Sequence, residues 1–138
     1  MKCLFIGLGS IGQRHLRNLK LILPEVEVSA YRNSKKNNVP FLNDRNVPIR
    51  NIDLIDHYSI KEYFSLHKAL EKKPDMVFIT NPSIYHGEFA IEAIKSGAFV
   101  FIEKPLSADI KSAEEILSLE NKLNTKKCMV GFQYRYNP

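Results

Sequence analysis

Short apolar runs alternate along this chain with segments whose apolar positions recur every three or four residues. Lys2–Ile6 (KCLFI) is an apolar run closed by glycine, the pattern of a strand buried on both faces. In Ile11–Leu23 the leucines at 16, 19 and 23 fall at helical spacing, and Pro24 stops the helix. Val26, Val28 and Ala30 predict a second strand that ends at Tyr31-Arg32, and Asn33–Asn46, rich in Asn, Lys and Ser, reads as a surface loop. Val47–Ile55 predicts a third strand. Ser59–Lys72 predicts a helix with Tyr63, Leu66 and Leu70 on one side. Asp75–Thr80 predicts the fourth strand. Ser83 then caps a helix to Lys95, with Gly97 placed for a left-handed helix end. Phe99–Glu103 predicts a fifth strand, Asp109 opens a helix to Leu123, and Cys128–Tyr134 predicts a sixth strand. This alternation predicts an α/β fold, a doubly wound and mainly parallel six-stranded sheet, with residues 1–138 as one domain.

Composition narrows the function classes. A chain of 138 residues with 44% hydrophobic and 25% charged positions suits one soluble domain. The net charge of +5 comes from scattered residues with only short pairs, Lys35-Lys36, Lys72-Lys73 and Lys126-Lys127. That describes a mildly basic surface or a site for one phosphorylated ligand, and nucleic acid is not an expected partner. Cys3 and Cys128 both lie in apolar runs and read as buried free thiols, in keeping with a reducing cytoplasm. No CxxC or HExxH spacing occurs and the four histidines are far apart, so no metal site is expected. No apolar run approaches the roughly 20 residues of a membrane span. The first residues imitate a secretion signal, but Gly-Ser-Ile-Gly interrupts them and no cleavage site follows. A cytoplasmic location is the expectation.

The chemistry concentrates at predicted strand ends. Gly7-Leu8-Gly9-Ser10-Ile11-Gly12 follows a predicted strand and opens a predicted helix, the context that marks a dinucleotide-binding turn. Gly7 permits the tight turn, Gly9 lets backbone approach a pyrophosphate, and Gly12 lets helix and strand pack closely; the N–H groups from Ser10 and Ile11 onward face the phosphates. About 20 residues on, where NAD-binding sites carry an acid for the ribose 2′-hydroxyl, stands Arg32, followed by Asn33, Ser34 and Lys35. A guanidinium pairs with a 2′-phosphate or stacks on adenine, which favours NADP while NAD stays open. Thr80, Asn81 and Pro82 lie at the carboxyl edge of the fourth strand, where ligands of such folds bind, and His86 falls in the first turn of the next helix; all four are candidate cofactor contacts. Glu103 and Lys104 end the fifth strand just before Pro105, and a lysine there can hold a substrate oxygen and tune its acidity.

Together "GLGSIGQRH", "DMVFITNPSIYHGEFAIEAIKSGAFVFIEKPLS" and "GFQYRYNP" resemble the Gfo/Idh/MocA oxidoreductase family, over essentially the whole chain. The resemblance implies the Rossmann form of the fold, with Gly7, Gly9 and Gly12 on the pyrophosphate and Asn81 beside the cofactor. It places Glu103 toward the nicotinamide, Lys104 on the reacting substrate and Arg135 near the nicotinamide end. It also implies hydride transfer between nicotinamide and a hydroxyl or carbonyl of a sugar or cyclitol-type small molecule. Such proteins carry a second, C-terminal α/β domain that supplies most of the substrate pocket. The sequence stops at Pro138, so a cofactor-binding piece inactive by itself is the expectation. Members often associate through the second domain's sheet, which leaves a homo-oligomer open. The alternative is a non-catalytic dinucleotide-sensing or regulatory module.

Overall fold

The computed structural model describes residues 1–34, 39–124 and 126–136, and in it the first apolar run becomes the centre of the sheet. β1 (Lys2–Ile6) leads to α1 (Ser10–Ile22) and β2 (Glu27–Tyr31), then to a hairpin of β3 (Pro40–Leu42) and β4 (Pro48–Asp53). α2 (Leu54–Tyr58), β5 (Lys61–Tyr63) and α3 (Leu66–Leu70) precede β6 (Met76–Ile79) and α4 (His86–Lys95). β7 (Phe99–Glu103), α5 (Ile110–Lys122) and β8 (Cys128–Gly131) complete the order.

Six strands form one sheet in the order β5-β2-β1-β6-β7-β8, and every neighbouring pair is parallel. Strand order steps outward from β1 in both directions, which makes the sheet doubly wound and opens a crevice at the carboxyl ends of β1 and β6. Alternate residues of β1 serve the two faces. Leu4 and Ile6 join Val77, Ile79, Ile91, Ile94 and Ile102 in one core. Cys3 and Phe5 join Leu8, Leu16, Val28 and Phe78 in the other, where the rings of Phe5 and Phe78 stack at 4.6 Å. A continuous apolar run is what a strand covered on both faces requires.

The middle of the chain departs from its hydrophobic pattern. The edge strand beside β2 is β5, from within the segment whose spacing predicts one helix, Ser59–Lys72. Ser59 caps α2 in a left-handed conformation (φ 52°), and Ser65 caps α3 through a bond from Lys68 N, so the helix is cut on both sides. Tyr63, Leu66 and Leu70 still pack on the first core, but as one strand residue and two helix residues. Exposed backbone along β2 gains a partner only if Lys61–Tyr63 extends, and that long-range pairing overrides local spacing. The predicted Val47–Ile55 strand does form as β4, but it pairs with β3 outside the main sheet and its six residues are exposed.

Other boundaries shift less. Ser83 makes no side-chain cap; a 3-10 turn spans Ser83–Tyr85 and α4 begins at His86. The last strand stops at Gly131, and Gln133–Tyr136 form a 3-10 turn. Gly97 takes φ +87° at the end of α4, and Asp109 caps α5 by accepting bonds from Ser112 N and Oγ, both at 2.8 Å. Those two bonds hold its carboxyl below the ordinary range. Cys3 is fully buried, whereas Cys128 is only partly so. Burial pushes both thiols up to about 11, with Asp75 adding to the effect at Cys3 and Glu120 at Cys128. Two strands separate β1 from β8, about 14 Å, beyond the reach of a disulfide.

Candidate functional site

The turn after β1 is held shut on one side and left open on the other. Gly7 has φ +107°, and a Cβ there would lie 2.6 Å from Asn81 N. A Cβ on Gly12 would lie 2.2 Å from Gly7 O and 2.8 Å from Thr80 Oγ1, so α1 meets β1 and β6 at a distance only glycine allows. A Cβ on Gly9 would meet nothing within 4 Å. Gly9 is also the N-cap of α1, with no side chain bonding the first turn and no acid in it. Gly9 and Ser10 are exposed and Ile11 half-buried. The first N–H groups of a thirteen-residue helix thus face open space with their positive dipole end outward. Such a cradle fits a pyrophosphate.

Thr80 and His86 act behind this surface. The Thr80 hydroxyl donates to Gly7 O at 2.6 Å and fixes the turn from below. Sequence reasoning placed His86 at the cofactor, but its ring is 1% exposed, and its two nitrogens face carbonyls: Nδ1 lies 2.7 Å from Pro105 O and Nε2 2.8 Å from Asn81 O. It ties the end of β6 to the segment after β7, and neither nitrogen is left for a ligand. Asn81 lines the crevice, and its Oδ1 is a buried oxygen with no hydrogen-bond partner among the described residues. An orphaned acceptor there suits a ribose hydroxyl or a carboxamide N–H.

A cavity of about 510 Å3 opens beside the turn. Gly7 and Leu8, the β2 end with Arg32, Asn33 and Ser34, and Asn81-Pro82 all line it. Arg32 is ion-paired to Glu62 of β5, with side-chain exposures of 12% and 27%. Lys35, the remaining residue expected here, lies outside the described residues.

Glu103 and Lys104 stand at the carboxyl end of β7. Lys104 is exposed, while Glu103 is half-buried, with Oε1 2.6 Å from His15 Nε2 and Oε2 accepting from Lys104 N at 3.2 Å. His15 also meets the Phe101 ring edge-on at 4.9 Å. The helix that follows the glycine turn and the lysine-bearing strand end are therefore joined by one side-chain pair. Arg135 is exposed, stacks over Phe132 at 5.8 Å, and is not brought to the wall of the cavity.

Three residues with site roles were not singled out by the motifs. His15 and Glu62 find their partners 88 and 30 residues away, which no local pattern reveals. Gln13 is 1% exposed; its amide donates to Leu8 O and Pro40 O at 3.0 and 2.9 Å and accepts from Leu42 N at 2.8 Å. It anchors the β3–β4 hairpin to the glycine turn. Its signal was present, since Gly12, Gln13 and Leu16 form the buried face of α1. Among the described residues no group of three or more His, Cys, Asp or Glu side chains could hold a metal ion, and no helix is long and apolar enough to cross a membrane.

Comparison with known proteins bears on this geometry. Residues 1–132 match the family model GFO_IDH_MocA, described as an oxidoreductase family with an NAD-binding Rossmann fold. Inositol 2-dehydrogenase of Salmonella typhimurium is 29% identical over 140 residues, covering 99% of this chain and 38% of that protein. The scyllo-inositol 2-dehydrogenase (NAD(+)) of Bacillus subtilis is 27% identical over 138 residues, covering all of this chain and 37% of that one. The crystal structure of myo-inositol dehydrogenase from Lactobacillus casei, in complex with NAD(H) and myo-inositol, superposes with a TM-score of 0.79. It is 23% identical and covers 99% of this chain and 38% of that one, a likeness of fold. The chain spans little more than a third of the length of the curated relatives it matches.

Proposed function

The chain belongs to the Gfo/Idh/MocA oxidoreductase family, and we propose that it forms the dinucleotide-binding part of a dehydrogenase acting on a cyclitol or sugar-like alcohol. The observation that carries this reading is the uncapped, acid-free N-terminus of α1, open above Gly9 and bordered by the Arg32–Asn81 cavity. The names of the inositol dehydrogenase relatives support the substrate class.

Within this reading Gly9, Ser10, Ile11 and Gly12 bind the pyrophosphate through backbone N–H groups, and Gly7 shapes the turn that presents them. Thr80 and His86 are positioning residues, the first through Gly7 and the second through Asn81 and Pro105. Arg32, Asn33 and Ser34 receive the adenosine ribose. An arginine in place of an acid at the end of β2 supports NADP. The nicotinamide, when bound, supplies the hydride carrier. Asn81 and Pro82 flank it, Glu103 keeps His15 and the β7 end in register, and Lys104 holds the substrate oxygen, its ammonium opposing the negative charge that develops as the proton leaves. Arg135 contributes at the same end. The 138 residues by themselves turn nothing over.

Calorimetric titration of the 138-residue chain with NADPH and NADH tests the reading. Binding of either dinucleotide is expected, and absence of heat and of thermal protection with both would sink it. In the full-length enzyme, Lys104→Met is expected to lower kcat by about a hundredfold or more while leaving dinucleotide affinity in place.

A further inference from the structure

Glu62 lies outside the cavity wall and takes no part in the chemistry above, yet it is paired with Arg32, the one cation among the described residues of that wall. The sheet builds that placement. β2 and β5 run parallel with Ala30 opposite Glu62 and Tyr31 opposite Tyr63. Arg32 is two residues beyond Ala30, so its side chain leaves the sheet on the same face as that of Glu62. Arg32 N donates to Tyr63 O at 2.9 Å, which extends the ladder and keeps the two strand ends together. The guanidinium is thus held between a carboxylate from β5 and the cavity.

We propose that Glu62 is a specificity-determining residue, whose carboxylate competes with the 2′-phosphate of NADP for Arg32 and draws the cofactor preference back toward NAD. The proposal rests on the assignment of Arg32 to the adenosine ribose made above. A phosphate monoester carries about −1.5 to −2 charges at neutral pH. Arriving at Arg32 it meets a guanidinium already paired with the Glu62 carboxylate and feels the repulsion of that negative charge. The 2′-hydroxyl of NAD is neutral and incurs neither cost. Other domains of this fold place an acid at the end of the second strand to favour NAD. Here the acid comes from the neighbouring edge strand and works through an arginine, so Arg32 stays on the cavity wall, which also carries Glu88, while its pull on phosphate is reduced.

Titration calorimetry with NADH and NADPH, run separately on the native chain and on Glu62→Gln, Glu62→Ala and Arg32→Ala, tests this. Glu62→Gln keeps the size of the side chain, and Glu62→Ala removes the same charge without leaving a hydrogen-bonding group. Circular dichroism verifies that each variant is folded. Both Glu62 variants are expected to raise the NADPH-to-NADH affinity ratio about five- to tenfold, with the change in the NADPH arm. Arg32→Ala is expected to weaken NADPH more than NADH. An unchanged or lowered ratio in the Glu62 variants, with Arg32→Ala still selective against NADPH, overturns the role of Glu62 alone. Equal losses of both cofactors in Arg32→Ala overturn the NADP reading, and this proposal with it.

Discussion

Gly12 serves the fold and Gly9 the proposed binding, and alanine at each makes the separation measurable. At Gly12 a methyl would sit 2.2 Å from Gly7 O and 2.8 Å from Thr80 Oγ1. The first neighbour is backbone, so α1 must move off the sheet. Overpacking of this kind costs about 1–3 kcal/mol, and more where backbone must yield. At Gly9 a methyl meets nothing within 4 Å, and the residue has φ −68°, which alanine adopts freely. Loss of a good N-cap and the reduced entropy of the unfolded chain oppose each other there, leaving a change under about 1 kcal/mol. A pyrophosphate on the open helix end would instead be pushed away by that methyl. It would forfeit one or two charge-assisted bonds worth about 1.5–3 kcal/mol each, or at least tenfold in affinity. Urea unfolding and NADPH calorimetry on both variants form the assay. Gly12→Ala should lose stability and binding together, Gly9→Ala binding alone. A Gly9→Ala chain that binds NADPH as tightly as the native one would refute the placement of the phosphates.

Two further outcomes follow from buried groups. His86→Leu leaves at least one of Pro105 O and Asn81 O without its donor, and at about 1–3 kcal/mol for an unsatisfied buried carbonyl the chain should unfold at lower urea; an unchanged midpoint would mean that His86 holds neither segment. The thiols of Cys3 and Cys128 should react slowly with iodoacetamide at pH 8 in the folded chain and quickly in urea, because burial raises both from 9.0 to about 11. The folded state keeps these protons longer than the unfolded one. Their contribution to stability is therefore whole below pH 9 and declines as pH rises toward 11, and equal alkylation rates with and without urea would contradict it.

Much of this molecule was legible before any tertiary structure. β1, α1, β2, β6, β7 and α5 follow from runs and spacings that act over a few residues, because burial on one or two faces imposes its period on any strand or helix. The glycine turn was legible for the same reason: its φ, its close packing and its open helix end are properties of adjacent residues. What sequence alone determined is the parallel α/β architecture, the family, and a glycine turn opening a helix, with Arg32 where an acid is usual.

Tertiary structure decided the rest. Lys61–Tyr63 is a strand only because β2 offers an unpaired edge, and β4 leaves the main sheet because β5 takes that edge. His86 ties two segments together because carbonyls from both converge on its ring. His15 reaches Glu103, Gln13 reaches the hairpin, and Glu62 reaches Arg32 across 88, 27 and 30 residues. Such pairings depend on which strands become neighbours, and strand order is settled by packing both faces of the whole sheet, not by any local period. The pair formed by Arg32 and Glu62 shows the difference: the cation could be read from the chain, but the charge that restrains it came only from the fold.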